Sequence, residues 1–322
     1  MLVIVRKVFS KNHYTYAHCL DIRGSILKAQ GEYKEALSCY EECAKVIKEI
    51  YGERNGRYSE ILNNIASILS ILDKYDEALS CCKKALHIDE EVYGKEHGSN
   101  AESLYNMGNI LFAQGKSEEA LEYFNRGLKI VDKAYGKSTR WYIFFLRGIG
   151  EILEYQENFE GALKKYDQGL KLMKKYFAKN KSLLSSGLCL KGKVLYKLGK
   201  YKQALEYQQQ ALKIRKKIEK EGSHWVVNII ENLGIAYIGL NKPNTGIKFI
   251  KQALEFKKKY YGISNTDIAK SFKELGNAFM KLHDKSQAKK YYNKALEIYN
   301  RVFGERDKLV IELKEYMKSI AT

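Results

Sequence analysis

One small residue recurs along the sequence at a constant interval of 42 positions, and this repeat constrains the fold more than any other feature. In most copies it is an Ala followed by a Leu. The seven copies are centred on Ala36, Ala78, Ala120, Ala162, Ala204, Gly246 and Ala288. Because the interval never changes, the units carry no insertion between copies. Equal units in series predict a stacked repeat fold rather than one globular core.

Each copy has two further small-residue positions, one twelve residues before the central position and one seven after it. The earlier position holds Gly24, Ala66, Gly108, Gly150, Gly192, Gly234 and Gly276. The later position holds Cys43, Ala85, Gly127, Gly169, Ala211, Ala253 and Ala295. Large apolar residues lie three and four positions away, which is the spacing of one helix face. Small residues where two helices cross allow close approach, so each copy predicts a pair of packed helices.

A turn position separates the two predicted helices of each copy. It holds Gly31, Asp73, Gly115, Glu157, Gly199, Asn241 and His283. These residues are rich in types that tolerate the left-handed backbone conformation with which many helices end. The chain has a single proline, whereas a loop-rich β fold needs turn residues every ten or so positions. The sequence therefore predicts an all-α chain of helix hairpins.

Small, aromatic and small residues at these spacings resemble the tetratricopeptide repeat (TPR). The usual TPR unit has 34 residues. The longer unit here ends in an aromatic-glycine pair, such as Tyr51-Gly52 or Tyr135-Gly136, and is similar to the kinesin light chain type. The resemblance implies a right-handed α-solenoid superhelix of seven helix-turn-helix repeats. We expect a partial helix over residues 1–13, as a truncated repeat or a cap, the seven repeats over 14–306 and a capping helix over 307–322.

No residue pattern in the chain predicts chemistry. The six cysteines are interpreted as reduced thiols, and Cys43 and Cys82 occupy packing positions of the repeat rather than a metal site. The histidines show no ligand spacing, and no nucleophile-elbow or zinc-protease motif occurs. We therefore predict a protein that is not an enzyme and has no metal, cofactor or small-molecule substrate.

The N-terminus does not read as a targeting segment. Its apolar run, Met1 to Val5, is interrupted by Arg6 and Lys7, too early for a signal peptide, and no apolar stretch of 18 residues follows. These features predict a soluble protein of the cytoplasm.

In the TPR resemblance, the first helix of each repeat lines a concave groove, so the exposed stripe of these helices is the predicted peptide-binding surface. Asn side chains there can both donate to and accept from an extended peptide backbone. The candidates are Asn63, Asn64, Tyr105, Asn106, Asn109, Phe112, Phe144, Arg147, Tyr155, Lys193, Tyr196, Lys197, Lys273 and Asn277. In the alternative interpretation, the amides satisfy the preceding repeat and the aromatic side chains pack between adjacent first helices.

The candidates also suggest the chemistry of the ligand. Arg147 lies among aromatic residues and can stack on a ring while it binds a carboxylate. We expect a protein or peptide ligand with an apolar or aromatic side chain next to an acidic residue, its acidic end facing Lys193, Lys197 and Lys273. The two-carboxylate clamp of chaperone-tail TPR domains is not expected, because Tyr316 replaces the Asn that should follow the pair Lys273 and Asn277.

Charge is distributed unevenly along the chain. Residues 1–161 carry 21 Lys and Arg against 24 Asp and Glu, whereas residues 162–322 carry 35 against 14. Exposed lysine pairs recur in the second half, as at Lys174-Lys175 and Lys216-Lys217. An alternative function is therefore electrostatic binding of nucleic acid or an anionic membrane through the basic C-terminal half. A third is a helical regulatory part of a longer chain.

Overall fold

The computed structural model describes residues 13–219, 222–261, 266–305 and 307–320, except for the side chains at 260 and 261. These residues form fifteen α-helices, with no strand among them. Helices cover nearly all of the described chain, which confirms the predicted all-α fold. The partial helix predicted near the N-terminus lies outside the described residues.

The chain divides into two compact units, residues 1–158 and residues 159–322. Unit 1 contains α1 (Tyr14–Gln30), α2 (Tyr33–Tyr51), α3 (Gly56–Ile71), α4 (Tyr75–Tyr93), α5 (Ala101–Ala113), α6 (Ser117–Tyr135) and α7 (Arg140–Tyr155). Within it, α1–α2, α3–α4 and α5–α6 are hairpins, and each hairpin packs against the next helix. A short 3₁₀ turn, Gly98–Asn100, precedes α5.

Unit 2 has the same construction. It contains α8 (Phe159–Tyr176), α9 (Lys181–Lys197), α10 (Tyr201–Arg215), α11 (His224–Gly239), α12 (Pro243–Tyr261), α13 (Thr266–Lys281), α14 (Lys285–Phe303) and α15 (Lys308–Ser319). The hairpins are α9–α10, α11–α12 and α13–α14. Helix α15 lies where a capping helix was predicted, and it buries Val310 and Leu313 against the last hairpin.

The predicted turns are confirmed by the backbone. All seven turn residues have positive φ, between 58° at Asn241 and 85° at Gly31. Asp73, Glu157 and His283 adopt this conformation although they are not glycine. The glycines that end the longer second helices, Gly52, Gly94, Gly136 and Gly304, also have positive φ. The chain therefore reverses direction at the positions that the repeat predicts.

Small residues are buried at the predicted helix crossings. In six of the seven copies the central residue is an Ala with no exposed surface. In the α5–α6 hairpin, the ring of Phe124 fills the space over Gly108, and in the α13–α14 hairpin Tyr292 covers Gly276 in the same way. An aromatic ring of the second helix thus packs directly on the backbone of the first helix.

The first helices begin at capping residues that share the same period. Each cap accepts a hydrogen bond from a backbone N–H of the first turn, which satisfies one of the free donors at a helix start. The caps at this spacing are His13, Asn55, His97, Thr139, Ser223 and Asp307.

The six cysteines are free thiols. Cys39, Cys43 and Cys82 are buried, and the Sγ of Cys43 donates a hydrogen bond to the carbonyl oxygen of Ala17 at 3.1 Å. Burial raises the pKa of Cys43 to about 12, which keeps this thiol neutral. These side chains pack as small core residues.

Among the described helices, none is long and apolar enough to cross a membrane.

Candidate functional site

The first helices of successive repeats contact one another within each unit. In unit 1, α3 contacts α5 and α5 contacts α7; in unit 2, α9 contacts α11 and α11 contacts α13. We call the surface formed by α3, α5 and α7 the unit 1 wall, and the surface formed by α9, α11 and α13 the unit 2 wall. The fourteen candidate residues divide between them.

The amides of the unit 1 wall mostly contact the neighbouring repeat. Asn63 is only 2% exposed, and its Nδ2 donates to Ser103 Oγ at 2.9 Å. Asn106 Nδ2 lies 3.4 Å from the side-chain oxygen of Asn63, and Asn64 Nδ2 lies 3.5 Å from Asp21 Oδ1. The exposed position predicted for Asn63 is wrong, because this residue faces α5 rather than solvent. Asn64, Asn106 and Asn109 are half-buried and stay candidates.

Tyr105 lies inside an aromatic cluster rather than on the surface. It is 8% exposed, and its ring centroid lies 5.7 Å from that of Phe145 and 5.9 Å from that of Phe144. Its hydroxyl accepts a hydrogen bond from Arg147 Nη2. The exposure predicted for Tyr105 is therefore wrong, because rings from α6 and α7 pack around it.

The predicted stacking of Arg147 is confirmed. Its guanidinium carbon lies 5.7 Å from the centroid of the Phe144 ring, within the range of a cation–π contact. Its Nε lies 3.5 Å from Glu151 Oε1. Arg147 is half-buried on the unit 1 wall.

Half-buried Phe112 and exposed Tyr155 form an aromatic pair on the unit 1 wall. Their ring centroids are 5.7 Å apart at an interplanar angle of 86°, which is edge-to-face packing. Tyr155 is 68% exposed, the highest value among the large hydrophobic side chains of the described chain. An aromatic ring this accessible, held by a second ring, has the character of a binding anchor.

The unit 2 wall carries the basic candidates. Lys193 and Lys197 are exposed, and Lys273 is half-buried. The ring of Tyr196 lies 5.4 Å from that of Tyr201, and burial raises the Tyr196 pKa to about 12, so the hydroxyl stays protonated.

An acidic residue that the sequence analysis omitted lies among these lysines. Asn277 donates from Nδ2 to Glu274 Oε2 at 3.1 Å and accepts a hydrogen bond from the Tyr292 hydroxyl at 2.8 Å. Burial raises the pKa of Glu274, and the hydrogen bond from Asn277 and the charge of Lys273 act against this rise. Lys273 and Asn277 therefore already interact with a carboxylate of the protein itself, that of Glu274.

One core position of the second helix carries charge in three repeats, which the sequence analysis did not predict. Residues at the 42-residue spacing are Ile47, Asp89, Val131, Met173, Arg215, Lys257 and Tyr299. All seven are buried. The sequence signal that could have identified these residues is a charged side chain at a position where the other copies of the repeat have an apolar one. Such side chains need partners, because an unpaired buried charge is strongly unfavourable.

Arg215 and Lys257 are fully partnered in unit 2. The guanidinium of Arg215 donates to Ser182 Oγ and Ser186 Oγ, both at 2.8 Å. The ammonium of Lys257 donates to Glu231 Oε2 at 2.6 Å, to Ser271 Oγ at 3.0 Å and to the carbonyl oxygen of Asp267 at 3.1 Å. Each of the three N–H donors of the Lys257 ammonium thus has one acceptor.

Asp89 in unit 1 differs from these two residues. It is 3% exposed, and Ser59 donates one hydrogen bond to its Oδ1. Burial raises the pKa of Asp89 to about 6, although the hydrogen bond from Ser59 acts against the rise. Above pH 6 the fold therefore carries a buried carboxylate whose charge is poorly compensated.

We expect Asp89→Asn to stabilise the protein at pH 8 by about 1–2 kcal/mol, after allowance for partial solvent screening. The carboxyl pKa is higher in the folded chain than its ordinary 3.8, so its ionisation opposes folding as the pH rises from about 4 to about 6. The gain should vanish near pH 4. Urea unfolding at pH 4 and pH 8 measures it, and Glu122→Gln, an exposed carboxylate, is the control. A gain of equal size at both pH values would contradict this account.

Comparison with known proteins agrees with this geometry. A family model described as tetratricopeptide repeat matches residues 57–133, 142–217 and 225–301, and a second model of the same description matches residues 17–55. No curated protein sequence matches the chain.

Several solved structures share the fold. Aspartyl phosphate phosphatase F from Bacillus subtilis has a TM-score of 0.70 at 14% identity, covering 94% of this chain and 75% of that one. The Rap conjugation gene regulator of plasmid pLS20, in complex with the Phr* peptide, has a TM-score of 0.67 at 16% identity, covering 94% and 74%. The apo quorum sensor NprR from B. thuringiensis has a TM-score of 0.59 at 16% identity, covering 88% of each chain.

Proposed function

Because the chain belongs to the tetratricopeptide repeat family, we propose that it is a protein-interaction scaffold whose unit 1 wall binds an extended peptide segment of a partner protein. The observation that carries the proposal is the exposed ring of Tyr155, packed edge-on against Phe112. A structure of the same fold, the pLS20 Rap regulator, contains a bound peptide, which supports this class of ligand.

The side chains of the unit 1 wall favour a particular kind of segment. Tyr155 and Phe112 offer an apolar edge for an aromatic or aliphatic side chain of the ligand. Arg147 is half-buried and stacked on Phe144, so its guanidinium group is held in place and can bind a ligand carboxylate with little loss of side-chain entropy. Asn106 and Asn109, both half-buried, can bind the peptide backbone. We infer a ligand in which an acidic residue adjoins an apolar one.

Tyr155→Ala is expected to weaken peptide binding by about 1–3 kcal/mol, the usual range for a central aromatic anchor. Peptides would be selected from a random display library on the intact chain, and their affinities measured by calorimetry. Tyr176→Ala is the control, because Tyr176 is also an exposed tyrosine, 44% accessible, but lies on a second helix away from the unit 1 wall. If Tyr155→Ala and Arg147→Ala both bind the selected peptides as the wild type does, the unit 1 wall is not the site.

Salt dependence separates this proposal from the electrostatic alternative. The pairs Lys174-Lys175 and Lys216-Lys217 of unit 2 are exposed. Binding to phosphate through six to ten such contacts would lose about three to five orders of magnitude between 50 and 200 mM salt. Binding at the aromatic and amide wall should lose about tenfold or less over that range, because most of its contacts are uncharged. A steep loss for the library-selected peptides would favour the basic surface.

A further inference from the structure

A cavity of about 190 Å³ lies in unit 1 beside the wall. It is lined by three carboxylates and three aromatic side chains, which are Glu60, Asp89, Glu102, Tyr93, Tyr135 and Trp141. Pockets for drug-sized molecules occupy roughly 300–1,000 Å³, so this cavity is too small for such a ligand. It has room for about six water molecules, or for the head of one long side chain.

Two glycines shape the walls of the cavity. The ring of Tyr93 lies directly on Gly56, and the ring of Tyr135 lies directly on Gly98, so closely that a Cβ atom at either glycine would collide with the ring. Each tyrosine ends the second helix of one repeat, and each glycine lies close to the start of the next. The repeat therefore places flat aromatic surfaces on this side of unit 1.

Trp141 connects the cavity to the proposed binding wall. Its ring lines the cavity and also lies 5.8 Å from the ring of Tyr105 and 5.8 Å from that of Phe144. Arg147 stacks on Phe144 in the same cluster. The cavity therefore adjoins the aromatic cluster against which Arg147 of the wall is stacked.

Two of the three carboxylates that line the cavity, Asp89 and Glu102, have no cation within hydrogen-bond distance among the described residues, whereas Glu60 is ion-paired with Arg57. Asp89 is almost fully buried, and its Oδ2 receives no hydrogen bond or ion pair from any residue that the structure describes. Glu102 is half-buried and likewise has no hydrogen-bond or ion-pair partner within the described ranges. The ammonium of Lys28 acts on Glu102 only through space and donates to Ser67 Oγ at 2.8 Å. Burial raises the Glu102 pKa to about 7, as expected for an uncompensated charge.

The lining favours an organic cation over a metal ion. Within the described residues, no group of three or more His, Cys, Asp or Glu side chains has the geometry to hold a metal. Flat aromatic rings next to carboxylates suit a guanidinium group, which stacks on rings and donates hydrogen bonds from its edge. The guanidinium also keeps its charge when it leaves water, whereas an ammonium group readily loses its proton.

We propose that this cavity binds an arginine side chain of the partner segment, with the guanidinium between Asp89 and Glu102 and against Trp141. The proposal rests on the function proposed above and adds to it. The partner then carries a basic residue for the cavity as well as an apolar and an acidic residue for the wall.

The two tryptophans of the chain provide the test. Trp141 lines the cavity, whereas Trp225 lies in unit 2 against the guanidinium of Arg215. In protein labelled with ¹⁵N-tryptophan, the peptide acetyl-Gly-Gly-Arg-Gly-Gly-amide should shift the indole signal of Trp141 saturably and leave that of Trp225 unchanged. The citrulline peptide, which has the same shape without the charge, should bind at least about tenfold more weakly, because charge-assisted hydrogen bonds are lost.

Variants complete the experiment. Asp89→Asn and Glu102→Gln should each raise the dissociation constant of the arginine peptide by about tenfold, and the exposed control Glu122→Gln should leave it unchanged. Wild-type helicity by circular dichroism, with an unchanged Trp141 signal in the absence of peptide, shows that a variant is folded. Equal binding of arginine and citrulline peptides, tighter binding of a lysine peptide, or wild-type affinity in both variants would overturn the proposal.

The outcomes distinguish this inference from the proposed function. If only the inference fails, library-selected peptides still lose affinity in Tyr155→Ala and are unaffected by Asp89→Asn. If only the wall proposal fails, the arginine peptide still shifts Trp141, while no selected peptide depends on Tyr155.

Discussion

Lys257→Met is expected to lower the free energy of unfolding by about 3–5 kcal/mol, the usual cost of breaking a buried ion pair by removing one partner. Lys257 is 1% exposed, and its ammonium is the shared donor to Glu231, Ser271 and Asp267. Methionine retains most of the side-chain volume, so the loss reports on the charge rather than on a cavity. Urea unfolding followed by circular dichroism measures the effect.

A second substitution identifies the cause of that loss. Glu231→Gln in the Lys257→Met background removes the unpaired negative charge, and we expect it to restore most of the stability. Lys251→Met, an exposed lysine of the same helix, should change stability by less than about 0.5 kcal/mol. A loss below about 1 kcal/mol in Lys257→Met, or no recovery in the double variant, would show that the Lys257–Glu231 ion pair does not account for the stability of this region.

Gly246→Ala should destabilise the protein by about 3 kcal/mol, although alanine is the residue that every other copy of the repeat has at this position. In the α11–α12 hairpin, a Cβ atom at residue 246 would lie 2.6 Å from the carbonyl oxygen of Gly234 and 3.3 Å from the backbone nitrogen of Ile238. Backbone atoms cannot move aside cheaply, so the two helices would have to separate.

Gly169→Ala is the matched control for that prediction. Gly169 is also a helical glycine at a small-residue position of the repeat, but a Cβ atom there would meet nothing within 4 Å. Alanine should therefore stabilise α8 by about 0.5–1 kcal/mol through its higher helix propensity. Thermal unfolding compares the two variants. Stabilisation by both substitutions would show that the α11–α12 hairpin tolerates a wider spacing.

The candidate site was only partly predictable, and Asn63 and Asn64 show why. Both residues were assigned to the exposed stripe of α3. Neighbours on a helix are separated by about 100° of rotation, so a stripe identifies a face only to within one residue. Contacts with Ser103 place Asn63 in the interior and leave Asn64 at the surface. The stacking of Arg147 was predictable because its aromatic neighbour Phe144 lies three residues earlier on the same helix.

The sequence by itself determined the repeat, the helix pairs and the turns, because these features depend on residues that are close in the chain. The residue at the turn position, which is a glycine in three copies, and the small residue at each crossing act within one unit of 42 residues. Only the tertiary structure decided which polar side chains are buried and what they contact. Asp89, Arg215 and Lys257 occupy one repeat position yet meet different neighbours, and Gly246 differs from its alanine counterparts through one close carbonyl. These outcomes depend on packing between helices, which local spacing does not encode.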